Sequence, residues 1–239
     1  MILKIQLLQV LRNKRFLIFT ILVPAFWFLV LINIPFAKGA LLINLVLGLT
    51  SVFGILGNSL TTFSKRISTT SDFYAIRGKT SYYSNFRFLL DQTIVQTVLN
   101  FLIFLIMVIL GVVLSQISMS KTVIIIGVLS LWMGLYFSVI GFFLGTNFNA
   151  QMLDAASFPF MILGSLMIVP INIYNSTNIF MQIIASIQKI FPGYYYIDII
   201  NKATNHVTVP ISSISYLILT SVVTLGLVTI LINKSPFRN

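Results

Sequence analysis

Few side chains in this chain of 239 residues are equipped for chemistry. Glu and Cys are absent, there is one histidine, His206, and the acids are Asp72, Asp91, Asp154 and Asp198. Without cysteine there is no thiolate nucleophile, no thiolate metal ligand and no disulfide. A lone histidine falls short of the three or four protein ligands of a zinc site. One fragment is suggestive: in SDFYAIRGKTS, residues 71–81, Gly78-Lys79-Thr80 reads as the tail of a phosphate-binding loop. Such a loop needs a second glycine five positions earlier, after a strand, so that backbone amides can wrap the phosphates. Phe73 fills that position, and no Glu is present to polarise an attacking water. The chain is therefore expected to be no enzyme, and to bind no nucleotide or metal of its own.

Composition sets what must position these residues. The chain is 58% hydrophobic and only 8% charged, where a soluble domain carries about 25% charged residues, so lipid is the expected solvent. A net charge of +11 raises the question of a nucleic-acid partner. The cations, however, sit mainly at the ends of apolar runs rather than in one patch, and no nucleic acid is expected. A spanning helix needs about 20 predominantly apolar residues. Stretches at about 16–36, 41–63, 88–114, 122–146, 155–171 and 211–232 qualify. They are too long and too continuous for lipid-facing barrel strands. The expected fold class is an all-α integral membrane protein with six transmembrane helices, forming one domain over residues 1–239.

Lys and Arg set the expected orientation. Lys4, Arg12, Lys14, Arg15, Lys65, Arg66, Arg77, Lys79, Arg87, Lys234 and Arg238 fall on one side of a six-span chain. Lys38, Lys121, Lys189 and Lys202 fall on the other. The positive-inside rule then puts both termini in the cytoplasm. Residues 2–15 read as an interfacial helix rather than a cleavable leader: Leu3, Leu7, Val10 and Leu11 share a face opposite Gln6, Gln9 and Asn13. Its end, with Arg12, Lys14 and Arg15, is expected to anchor at the inner headgroups. The segment 172–210 is the sizeable outer one. It is apolar enough for a short helix before Pro192-Gly193, and Tyr194 and Tyr195 follow as headgroup-level anchors.

The cytoplasmic loop 64–87 reads as holding a short helix. Ser71 can cap its N-terminus, and Asp72 suits the positive end of the helix dipole. Arg77 suits the last turn, and Gly78 the left-handed stop. Phe73, Tyr74 and Ile76 then form an apolar knob, suited to docking a soluble partner or to lying flat on anionic lipid.

This layout resembles the membrane permease subunit of type-2 ATP-binding-cassette (ABC) exporters, over nearly the whole chain. The resemblance rests on the amphipathic N-terminal helix and on LRNKRFLIFTILVPAF leading into the first span. It rests also on the loop after the second span, four further spans, and an outer segment ending in FPGYYY before the last. It departs from the family in having neither Glu nor Pro between 64 and 88. The resemblance implies a separate ATPase subunit, binding ATP and Mg, that grips a coupling helix at Ser71, Asp72, Phe73, Tyr74, Ile76, Arg77 and Gly78. It implies a second permease copy or paralogue, export through the bacterial plasma membrane, and cargo of the peptide, toxin or drug kind.

Polar residues inside apolar runs are costly unless partnered. Asn44, Ser51 and Asn58 recur every seven residues in the second span and are candidates for lining a substrate path, with Pro159 marking a bend. Gln92, Gln96 and Asn100 in the third span read rather as interhelical hydrogen-bonders. Gly127, Gly134, Gly141 and Gly145 give the fourth span a small-residue face for close helix packing. An ATP-independent ion-coupled transporter or channel would need midplane ionisable residues. A membrane-bound lipid-modifying enzyme would need clustered acids or an activated nucleophile. Neither set is visible in the sequence.

Overall fold

A computed structural model describes residues 8, 12, 21–33, 40–70, 85–114, 117, 119–169, 179–205 and 207–234. Every regular element among them is helical. Helix α1 is Val23–Asn33. Helix α2 covers Ala40–Gly57, continues through a π-helical turn at Asn58–Phe63, and runs on to Thr70. Then come α3 (Asn85–Val113), α4 (Lys121–Asn147) and α5 (Ala150–Leu166). The last three are α6 (Ile179–Gln188), α7 (Pro192–Thr204) and α8 (Ile211–Lys234).

The local starts follow from side chains. The Asn149 carboxamide accepts the Met152 N–H at 2.8 Å and so caps α5, satisfying one of the amides a helix leaves orphaned at its beginning. Pro192 opens α7, where its missing N–H costs nothing. The turn at Asn58–Phe63 loosens the backbone ladder of α2, and side chains take up nearby carbonyls. The Thr61 hydroxyl donates to Gly57 O at 2.6 Å, and the Ser64 hydroxyl to Leu60 O at 2.5 Å.

Three helical stretches among the described residues are long and apolar enough to cross a membrane: Ile43–Thr70, Leu90–Val113 and Lys121–Asn147. Val23–Asn33 and Ile211–Leu227 are apolar but shorter, and α5 is 17 residues long with Pro159 inside it. The second apolar run does not stop at residue 63. It stays helical to Thr70, so α2 carries Lys65 and Arg66 within it.

Contacts fix the relative directions. Gly48 faces Ile126, Gly141 faces Ser59, and Gly145 faces Ser64, so α2 and α4 run parallel. Trp132 bonds Ser221 and Tyr136 meets Thr224, so α8 runs parallel to α4. Asn58 pairs with Asn100 and Arg66 with Gln96, which sets α3 antiparallel to α2. Leu56 against Gly164 and Lys65 against Asp154 set α5 antiparallel as well.

Helix α2 is the axis of this bundle, packing against α1, α3, α4, α5 and α7. Of its most apolar stretch 78% is buried within the chain, against 50% for those of α3 and α4. The outer faces of α3 and α4 are apolar too: Ile94, Phe101, Ile109, Ile124 and Val128 are exposed. Such contiguous apolar exposure suits a lipid surround rather than water.

Gly141 and Gly145 explain how closely α4 approaches α2. A Cβ on either would overlap a backbone carbonyl oxygen, of Ser59 and of Ser64 respectively. The small-residue face therefore serves packing within the chain.

Candidate functional site

The polar residues of α2 and α3 meet at the π-helical turn. Asn58, Ser59, Gln92, Gln96 and Asn100 are each at most 1% exposed. The Asn58 Nδ2 donates to Asn100 Oδ1 at 3.1 Å, and the Gln96 Nε2 donates to the same oxygen at 3.2 Å. The Gln96 Nε2 also reaches Ser59 Oγ at 3.3 Å. Arg66, one turn past the π-helical stretch, donates from its guanidinium to Gln96 Oε1 at 3.5 Å and lies over the Phe63 ring at 5.1 Å. The clasp is incompletely satisfied. Asn58 Oδ1, Asn100 Nδ2 and Gln92 Oε1 are buried without a hydrogen-bond partner, as is Ser51 Oγ two turns earlier on α2, a condition that usually costs about 1–3 kcal/mol per group.

A second polar node ties α7 to the same axis helix. Tyr196, fully buried, donates its hydroxyl to Gly48 O at 2.9 Å and shares a 3.0 Å hydrogen bond with Ser130 Oγ. Burial raises the Tyr196 pKa well above the usual phenol range, opposed by the Ser130 hydrogen bond. The hydroxyl therefore stays protonated and available to donate. Every polar atom of this node is used.

At the junction of α7 and α8, Lys202 Nζ lies 2.6 Å from Asp198 Oδ2 and 3.0 Å from Ser213 Oγ. Ser213 donates to the same carboxylate at 2.9 Å. A serine beside a lysine is the ground plan of some hydrolases. Here the amine is paired with a carboxylate and the hydroxyl bonds to that same carboxylate, so the group works as a staple between two helices. At the opposite end of the bundle Lys65 pairs with Asp154. Beside it the Ser68 hydroxyl donates to Phe148 O at 2.8 Å, fastening the last turns of α2 to the α4–α5 corner.

Of the path candidates, Ser51 and Asn58 are fully buried between helices, Asn44 is half-buried, and Pro159 is exposed on α5. Asn58 joins Gln96 and Asn100 in one cluster; Pro159 lies apart from it. Ser71, Asp72, Phe73, Tyr74, Ile76, Arg77 and Gly78 lie outside the described residues, as do Lys14, Arg15 and His206. Arg12 is exposed. The anchors Tyr194 and Tyr195 are half-buried and form an aromatic group with Tyr216, the Tyr195 and Tyr216 rings stacked at 5.6 Å.

Read from the sequence, Ser130 has no role, Arg66 counts only as a cytoplasmic cation, and Tyr196 sits with Tyr194 and Tyr195 at headgroup level, whereas the structure buries Tyr196 completely. For Tyr196 the signal was available: buried Gly193, Tyr196, Ile197, Ile200 and Thr204 follow one another at helical spacing. Arg66, which follows an apolar run, is expected in the loop 64–87 and instead lies on the helical continuation of α2.

No family model, curated protein or solved structure matches this chain.

Proposed function

We propose that this chain is the permease subunit of a type-2 ABC exporter: six spans, both termini cytoplasmic, in a bacterial plasma membrane. It works with a second copy or paralogue and with a separate ATPase that holds ATP and Mg. The observation that carries this reading is the position of α2. It packs on five other helices, and its last turns lead directly toward residues 71–78, where the ATPase docks. A push delivered at that end enters the bundle through the helix that packs on five others. A partner can drive switching only through contacts that differ between the two states, and a central helix whose chain continues into the docking segment offers such contacts. The apolar outer faces of α3 and α4, set against lipid, support the membrane setting. The cargo is of the amphipathic peptide, toxin or hydrophobic drug kind, as the resemblance to this exporter family implies.

The test is a double variant, Phe73→Asp with Tyr74→Asp, expressed with the ATPase that co-purifies with the chain. It should insert normally, lose stimulation of the ATPase, and lose transport in reconstituted vesicles. Normal stimulation and transport by this variant would refute the docking assignment. Copurification without any ATPase, together with unaided transport, would refute the permease reading itself.

A further inference from the structure

We infer that Arg66 selects one of two orientations of a three-carboxamide relay, Gln96–Asn100–Asn58, which flips as a unit. The orientation observed is an ordered chain of donors. Arg66 donates to Gln96 Oε1; Gln96 Nε2 donates to Asn100 Oδ1; Asn58 Nδ2 donates to that same oxygen. The chain leaves Asn58 Oδ1 and Asn100 Nδ2 unpartnered.

Turning a carboxamide by a half-turn exchanges its oxygen and nitrogen with little change in shape. Turning Gln96 alone sets its oxygen against Asn100 Oδ1. Turning Asn100 alone sets its nitrogen against two other nitrogens. Turning all three restores each bond with donor and acceptor exchanged: Asn100 Nδ2 then donates to Asn58 Oδ1 and to Gln96 Oε1. The Ser59 hydroxyl, which accepts from Gln96 at 3.3 Å in the observed state, reverses and donates. The two orientations therefore hold the same bonds among Asn58, Ser59, Gln96 and Asn100, and intermediates are penalised. What distinguishes them is Arg66, a donor in either case. It completes the observed chain and opposes the flipped one, where Gln96 would present its amino group.

The flip has a readable consequence at α4. Asn100 Nδ2 points at Gly134, where a Cβ would come within 2.7 Å of it. After the flip an acceptor faces α4 instead of a donor. Arg66 sits on the last turns of α2, beside Lys65 and Ser68, which are fastened to the α4–α5 corner. Displacing the end of α2 withdraws the guanidinium and frees the relay. Only the use of this device in transport rests on the permease reading.

The test uses the full chain in micelles, with Asn and Gln labelled with nitrogen-15 and side-chain amide signals assigned by single substitutions. Arg66→Met should move the Asn58 and Asn100 signals as well as those of Gln96, shifting the ratio of two signal sets by roughly tenfold, as losing one charge-assisted hydrogen bond would. Arg66→Lys keeps a donor and should retain the native set. In a Gln96→Leu background, Arg66→Met should leave Asn58 and Asn100 unmoved. Should Arg66→Met fail to fold, Arg66→Gln offers both donor and acceptor, and the same shift is expected. A response confined to Gln96, or one that reaches Asn58 with Gln96 removed, overturns the relay. No transport is measured, so failure here leaves the permease reading standing, and failure of ATPase coupling leaves the relay standing.

Discussion

Two polar nodes hold α2 in the bundle about 15 Å apart along its axis, and they are built on opposite terms. At Gly48 the Tyr196 phenol of α7 donates to one carbonyl and is itself held by the Ser130 hydroxyl of α4, so each of these groups has a partner. At Asn58 two carboxamides crowd the oxygen of a third, and Asn58 Oδ1, Asn100 Nδ2 and Gln92 Oε1 go without partners. The first node has one arrangement; the second has two of nearly equal bonding. The helical ladder of α2 is regular beside Gly48 and widened beside Asn58, and π-helical turns are frequent at sites that move. One end of α2 is pinned and the other is held adjustably, so motion entering from the Thr70 end should be absorbed near Asn58 before it reaches Gly48.

The largest effect should come from filling the space between α4 and the widened turn. Gly141→Ala puts a methyl into the Ser59 carbonyl, a backbone atom that cannot step aside. It should cost about 3 kcal/mol, at the upper end for overpacking, measured as a fall in unfolding midpoint in mixed detergent and SDS. Gly48→Ala sharpens the contrast, because there the methyl meets Ile200 Cδ1 at 2.7 Å, the far end of a flexible side chain. Its cost should be about 1 kcal/mol. Equal costs at the two positions would mean that the adjustable region is as loosely packed as the pinned one.

Next comes Tyr196→Phe, which strands the Ser130 hydroxyl and removes a donor from Gly48 O. Losing a fully satisfied buried partner should cost about 1–3 kcal/mol in the same assay. Asn58→Leu should cost less, within about 1 kcal/mol of neutral. It deletes one hydrogen bond but also deletes an acceptor with no partner, and Asn100 Oδ1 keeps its bond from Gln96. If Asn58→Leu proved more damaging than Tyr196→Phe, the assignment of fixed and adjustable nodes would be reversed.

How much of this could be read from the chain alone depended on whether a signal was local. The third and fourth apolar runs, expected at 88–114 and 122–146, correspond to α3 and α4 within a few residues, because length and hydropathy decide them. The small-residue face of α4 and the hydrogen-bonding role of Gln96 and Asn100 were legible from spacing. The extension of α2 to Thr70 was not, since Lys65 and Arg66 look like a loop until Asp154 and Gln96 are seen beside them. The pairing of α2 with α7 was hidden for the same reason: Gly48 and Tyr196 are 148 residues apart. Ser51 and Asn58 share a face as the sequence says, but which neighbour that face meets is a tertiary matter, and it meets the interior of the chain.

The smallest effect expected is at the ion pair that closes the Thr70 end. Lys65 and Asp154 are 32% and 51% exposed at their side chains. Water and salt screen such a pair, and ordering two side chains offsets part of the attraction. Lys65→Gln should therefore lower stability by less than about 1 kcal/mol, and the loss should shrink further in high salt. Its value lies in the comparison. If the end of α2 transmits displacement to the relay, releasing Lys65 should disturb the Asn58 and Asn100 amide signals while leaving the hydrogen bonds of Tyr196 untouched. A disturbance spread evenly over both nodes would mean that α2 moves as a rigid rod and that the widened turn absorbs nothing.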